Sequence, residues 1–163
     1  MIVDQLTEDE WERLGRIRVD ALRTDPDAFG SSLAREEGFK EMHWRMRLRS
    51  SPWFVARDEG VDVGLVCVIQ EPGADETERH VVSFWVRPEA RRRGTGRALL
   101  GAAAAWAAAD GAARLTLWQM RGNDAAAATF RAAGFAPTGD TMPLPRDPSR
   151  TEERWALELG GAA

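Results

Sequence analysis

Residues Val82 to Leu100 read VSFWVRPEARRRGTGRALL. The run Val82–Val86 is apolar and strand-like, and Pro88 ends it because proline has no N–H to give a β-ladder. Arg91, Arg92 and Arg93 follow, then Gly94-Thr95-Gly96, then a run of helix formers from Arg97. A helix start carries unpaired N–H groups and the positive end of the helix dipole. Glycines let the backbone approach a ligand closely, and the arginines add positive potential. Strand, basic glycine turn and helix start, in that order, describe a place for a pyrophosphate.

The elements on either side fix where this turn sits. Met1–Leu6 reads as a short edge strand, and Thr7 with Glu10 three residues on is a capping-box pattern. Trp11, Leu14, Ile17, Arg18, Ala21 and Leu22 then make a helical stripe that ends near Arg23, before the breakers of TDPDAFGSS. A second helix is expected over Leu33–Arg49. Three strands follow, at Trp53–Arg57, Val63–Gln70 and His80–Arg87, the first two joined as an antiparallel hairpin by Asp58-Glu59-Gly60. After the glycine turn come a helix at Gly96–Ala109, a strand at Arg114–Met120 and a helix from Asn123 to Ala133 closed by Gly134. A loop rich in Pro, Asp and Arg leads to a last strand at Arg154–Leu159. Antiparallel strands come first and one parallel crossover sits in the middle.

The chain has 163 residues, with no repeat and no linker, and is expected to form one domain over residues 1–163. Its net charge of -4 argues against general nucleic-acid binding, so the arginine cluster stands out against an acidic background. Cys67 is the only cysteine, so no internal disulfide is expected, and its place in VGLVCVI puts it in the core. No secretory signal is visible, and the apolar run Ala98–Ala109 is too short to span a bilayer. A soluble cytoplasmic protein without a membrane partner is the expectation.

A P-loop needs a Gly-Lys-Ser/Thr ending that is missing here, and a dinucleotide fingerprint needs a third glycine where Leu99 stands. What remains is R-x-x-G-x-G at Arg91, Gly94 and Gly96. With Asn123, Ala126 and the closing Gly134-Phe135, it resembles the coenzyme A loop and following helix of the GCN5-related N-acetyltransferase (GNAT) superfamily. The segment LRTDPDAFGSS with REE after it looks like a bacterial branch of that superfamily. The resemblance implies an α/β GNAT fold: a mixed, mostly antiparallel sheet of six to seven strands, about four flanking helices, and a parallel splay at the fourth and fifth strands. It implies acetyl-CoA as co-substrate, no metal, and an amine-bearing acceptor, either a small molecule or a protein. A homodimer is compatible with it.

By position, the resemblance implies that Phe84, Trp85 and Val86 pair with the pantetheine arm, and that Arg91, Arg92, Arg93, Gly94, Thr95, Gly96 and Arg97 wrap the pyrophosphate. Asn123 reaches the pantetheine or its thioester end, and the ring of Phe130 packs on the coenzyme tail. The Val86 N–H is the donor for the oxyanion of acyl transfer. Glu36 and Glu37 lie on the helix that borders the acceptor groove, where a carboxylate would hold a cationic amine, and Trp85 and Trp118 would wall that pocket.

The catalytic groups depart from the family. Its usual acid is a tyrosine at position 130; here Phe130 stands there and the chain has no tyrosine. The thiolate would then leave unprotonated or take a proton from water, since a free thiol has a pKa near 8.5. A base used by the branch that acetylates ribosomal protein N-termini would fall at Trp118, so it is missing. The base of lysine-acetylating members falls at His80, which makes that imidazole the candidate base. The resemblance implies an acetyl-CoA-dependent N-acetyltransferase acting on a primary amine. A non-catalytic acyl-CoA sensor is the alternative, because the usual acid is absent and no base is assured.

Overall fold

A computed structural model describes residues 1–160. The chain forms β1 (Ile2–Gln5), α1 (Trp11–Thr24), α2 (Leu33–Glu36), α3 (Glu41–Ser50), β2 (Trp53–Asp58), β3 (Val61–Ile69), β4 (Glu78–Val86), α4 (Thr95–Ala109), β5 (Arg114–Met120), α5 (Asp124–Ala132), β6 (Ala136–Leu144) and β7 (Asp147–Glu158). The strands form one seven-stranded sheet in the order β1-β2-β3-β4-β5-β7-β6. Pairing is antiparallel for β1 with β2, β2 with β3, β5 with β7 and β6 with β7. It is parallel where Glu78–His80 of β4 meets Arg114–Thr116 of β5. The mixed sheet and the parallel pair at the fourth and fifth strands agree with the expected fold class. No helix among the described residues is long and apolar enough to cross a membrane.

The chain divides into two compact units, Met1–Cys67 with Ser83–Leu99, and Val68–Val82 with Leu100–Ala163. In the first unit, α1 buries Leu14, Ile17, Ala21 and Leu22, the stripe expected from its spacing. Val55 of β2 and Leu65 and Val66 of β3 are fully buried, as is Cys67 at the end of the same run. In the second unit, Leu115 and Leu117 of β5, Phe130 of α5, Phe135 and Trp155 of β7 are buried.

Local chemistry explains most boundaries. The Thr7 N–H donates to Glu10 Oε1 at 3.0 Å, and a short 3-10 turn over Glu8–Glu10 leads into α1. The β2–β3 hairpin turns at Glu59 and Gly60, with φ of 49° and 78°, the doubly left-handed pair that matches strand twist. Asn123 caps α5 with its side-chain oxygen, which accepts from the Ala126 N–H at 3.1 Å.

Two expectations need correction. The helix expected over Leu33–Arg49 is broken into α2 and α3 at Gly38-Phe39-Lys40. Lys40 is extended, with ψ of 172°, and its N–H donates to Nδ1 of His43, so a new helix starts there. The expected loop before Arg154 is instead β6 and most of β7. Pro137 and Pro143 made the segment read as a loop, but β6 is the edge strand, where a missing N–H costs no ladder bond.

Candidate functional site

The glycine turn belongs to the first unit. Arg92 and Gly94 both lie in the left-handed region, with φ of 62° and 82°. A Cβ on Gly94 would meet nothing within 4 Å, so the turn is open on that side. The Ala98 N–H closes the first helical bond on the Gly94 carbonyl at 3.0 Å. That leaves the N–H groups of Thr95, Gly96 and Arg97 without an intrahelical partner. Arg92, Arg93 and Arg97 are exposed. Left-handed turns beside a helix start turn successive amides toward one point and favour an anion. The turn therefore fits a pyrophosphate.

Two residues of the motif brace the turn. Thr95 is 3% exposed, and its hydroxyl donates to the Ala90 carbonyl at 3.3 Å. Only its backbone is left to serve an anion. Arg91 donates from Nε to the Val86 carbonyl at 2.9 Å, and its other arm reaches Asp25 at 2.9 Å. Arg91 thus ties the turn to the end of β4 instead of presenting its charge to a phosphate.

β4 carries a backbone irregularity just before the segment expected to pair with the coenzyme. Ser83 has φ of 56° inside the strand. Buried residues along β4 come as the pairs His80-Val81 and Trp85-Val86 with half-buried residues between them, as expected where one extra residue shifts the side-chain alternation. Phe84 is half-buried. Trp85 is 4% exposed, and its indole N–H donates to Asp25 Oδ2 at 2.6 Å. The expected role of Trp85 as a pocket wall is corrected: its ring is core, with Arg87 stacked 5.3 Å from it. Gly64 of β3 lets these parts come together, because a Cβ there would lie 2.9 Å from the Trp85 carbonyl oxygen and 2.9 Å from Leu99.

The two carboxylates expected at the acceptor groove line one open groove but differ in exposure. Glu36 is fully buried. Arg18 grips both its oxygens at 2.8 and 3.0 Å, and Arg47 adds a bond at 2.7 Å. Burial alone would push its carboxyl up, but the Arg18 and Arg47 bonds outweigh that and hold it at about 2. Glu36 is therefore committed to Arg18 and Arg47 within the fold. Glu37 is exposed, and with Glu36, Trp11, Gly15, Asp20 and Trp44 it lines an open groove of about 430 Å³.

The remaining expected residues lie in the second unit. Asn123 is exposed while capping α5, so one residue can cap and stay accessible. Phe130 is 6% exposed and packs against Phe135 and Trp155, each 6.3 Å away by ring centroid. This corrects its expected place on a coenzyme tail: the ring belongs to the core. Trp118 is half-buried with Arg154 5.1 Å from its ring.

His80 is 5% exposed, and its Nδ1 lies 2.7 Å from the Thr116 hydroxyl. Burial lowers its pKa to about 4; Glu71 at 3.6 Å pulls it up, and Arg154 pushes it down. Arg154 in turn bonds Glu71 and Thr116, at 2.5 and 3.0 Å. The imidazole is thus a neutral, inward group that links β4 to β5. A buried, neutral imidazole of this kind does not fit the expected role of His80 as the base.

Sequence reasoning missed Asp25, Arg18, Ser83 and Gly64 as residues that shape the site. Only Gly64 left a signal, as a glycine inside an unbroken apolar strand.

No curated protein matches the chain. Solved structures share its fold. An acetyltransferase of the GNAT family from Streptococcus pneumoniae is 15% identical, with a TM-score of 0.79 over 96% of this chain and 98% of that one. The ribosomal-protein-alanine N-acetyltransferase of Brucella melitensis is 21% identical, with a TM-score of 0.75 over 97% and 99%. The yncA protein of Salmonella typhimurium, solved with its cofactor acetyl-CoA, is 17% identical, with a TM-score of 0.77 over 100% and 96%. The model of the acetyltransferase (GNAT) family matches residues 11–135, which take in α1, the kinked β4, the basic glycine turn and the Asn123 helix. The chain belongs to the GNAT acetyltransferase family.

Proposed function

We propose that this acetyltransferase, read as a single GNAT domain over residues 1–163, uses acetyl-CoA to acetylate a primary amine on a small molecule or peptide. The amine attacks directly while both substrates are bound. The observation that carries the reading is the open, doubly left-handed turn at Arg92 and Gly94, set at the start of α4. Bound acetyl-CoA supplies an activated acetyl thioester. The backbone N–H groups of Arg92–Arg97 hold its pyrophosphate, with Arg92, Arg93 and Arg97 adding charge. The Phe84–Val86 backbone aligns the pantetheine arm, and the Val86 N–H points a donor at the acyl oxygen as negative charge develops there.

With His80 inward and phenylalanine at position 130, the acceptor's proton passes to water and the thiolate leaves without a side-chain acid. Positioning then supplies most of the acceleration. Glu37, exposed on the α1–α2 side, is the accessible carboxylate of the pair, and an acidic contact suits a cationic amine. The Brucella protein named above is a ribosomal-protein-alanine N-acetyltransferase, but the base that the resemblance implies for that branch would fall at Trp118 here. This favours an acceptor of a different kind.

The test is thiol release from acetyl-CoA across a panel of polyamines, aminoglycosides and peptides, with acetyl-CoA binding followed by calorimetry. Gly96→Glu should abolish binding in a folded protein, because a carboxylate would meet the pyrophosphate. Unchanged affinity in that variant would refute the assignment of the turn. Tight coenzyme binding with no turnover of any amine would instead favour a sensor.

A further inference from the structure

We infer that Arg18 is a positioning residue for acyl transfer, which fixes the left-handed kink at Ser83 and so sets the direction of Phe84–Val86. The inference rests on the proposed function, which places the thioester along that segment. A non-glycine residue at φ 56° inside a strand is held there by its surroundings, since the left-handed region is unfavourable to a residue with a Cβ. The holder is visible: Arg18 donates from Nη1 to the Ser83 hydroxyl at 3.3 Å. Arg18 is 5% exposed and has no freedom to swing away. Its Nε and Nη2 fork onto the two oxygens of Glu36, and the Phe29 ring lies 4.5 Å from its guanidinium carbon. Glu36 is pinned in turn by Arg47. The third guanidinium nitrogen is thereby aimed at one point, and that point is Ser83.

The far end of the segment is held in the same manner. Arg91 donates to the Val86 carbonyl and is braced by Asp25, which also accepts from the Trp85 indole. Segment 83–86 is thus clamped at both ends by an arginine backed by a carboxylate. Arg18 lies on α1 and Asp25 directly follows it, so this helix serves as the template for both clamps. A buried ion pair such as Arg18–Glu36 is seldom better for stability than well-packed apolar side chains, so its value here lies in fixing geometry. Lysine cannot replace Arg18, because it lacks the fork that holds Glu36 while a third nitrogen reaches Ser83.

The experiment uses the full chain as wild type, Ser83→Ala, Ser83→Gly, Arg18→Lys and the Ser83→Gly/Arg18→Lys double variant. It measures kcat, acetyl-CoA Kd by calorimetry, and ligand-free amide hydrogen exchange at Phe84–Val86. Ser83→Ala keeps the strain and loses the clamp, so kcat should fall about tenfold while Kd changes less than about threefold, with faster exchange at Phe84–Val86. Glycine adopts the kink unaided, so Arg18→Lys should cost less in the Ser83→Gly background than in wild type. A Ser83→Ala enzyme within about twofold of wild-type kcat, or with unchanged exchange at Phe84–Val86, would overturn the inference. An equal effect of Arg18→Lys in both backgrounds would also overturn it, since Arg18 would then be merely structural. If Arg18→Lys does not fold, Ser83→Ala decides alone. If the wild type acetylates no amine, the proposed function fails, and the exchange readout still decides whether Arg18 and Ser83 hold the segment.

Discussion

Gly64→Ala adds a single methyl group at the point where β3, β4 and the start of α4 meet. The new Cβ would sit 2.9 Å from the Trp85 carbonyl oxygen, 2.9 Å from Leu99 Cδ1 and 3.5 Å from Thr95 Cγ2. Comfortable carbon–oxygen contacts are about 3.3 Å or more, so β4 must recede by a few tenths of an ångström. Leu99 is fully buried, and close-packed interiors leave a side chain little room to move. Overpacking of a tight site costs about 1–3 kcal/mol, and a clash with backbone belongs in the upper half, at about 2–3 kcal/mol. For a chain of this length that is a fall in Tm of roughly 4–12 °C. The same displacement moves Trp85 and Val86 away from the first turn of α4, so acetyl-CoA affinity should drop about three- to tenfold. Thermal unfolding and calorimetric titration check both. Gly101→Ala on α4 is the control: nothing lies within 4 Å of its added Cβ, so it should stabilise the helix by about 0.5–1 kcal/mol. A Gly64→Ala protein with wild-type Tm and wild-type acetyl-CoA affinity would refute the argument that this glycine sets the spacing.

Three further outcomes are expected. Asp25→Ala should leave the buried Trp85 indole N–H without its acceptor, costing about 1–3 kcal/mol in urea unfolding, and should weaken acetyl-CoA binding by freeing Arg91. Phe130→Ala should act as a core truncation, losing about 3–5 kcal/mol by the same measurement. Stability should fall on acidification in two windows. The unfolded chain takes up a proton at His80 near its ordinary 6.5, whereas the folded chain resists until about 4, so this contribution is present above 6.5 and lost as pH falls through that range. Glu36, ordinarily at 4.5 and held at about 2, contributes roughly 3 kcal/mol that is present above 4.5 and lost toward pH 2. Denaturant midpoints measured against pH should lose the upper window in His80→Gln and keep the lower one.

The sequence by itself determined the elements that rest on local chemistry. Strand β5, the helices α1, α4 and α5, the hairpin at Glu59-Gly60 and the basic glycine turn are each written in neighbouring residues, through periodicity, capping and glycine placement. The family followed from two such local motifs at a characteristic separation, Arg91–Gly96 and Asn123–Phe135. What only the tertiary structure decided were partnerships between distant residues. Glu36 and Glu37 are adjacent and chemically alike, yet one is sealed by Arg18 and Arg47 while the other stays exposed. Arg91 looks like a phosphate ligand in its motif, but Asp25, far back in the chain, turns it into a brace. His80 could serve as a base only if water could reach it, and burial beside Thr116 and Glu71 removes that freedom. The strained Ser83 sits in a run that reads as an ordinary strand, because the force that holds its kink comes from a guanidinium 65 residues earlier. Propensity and spacing act between neighbours in the chain, whereas burial, charge pairing and backbone strain depend on what folding brings alongside.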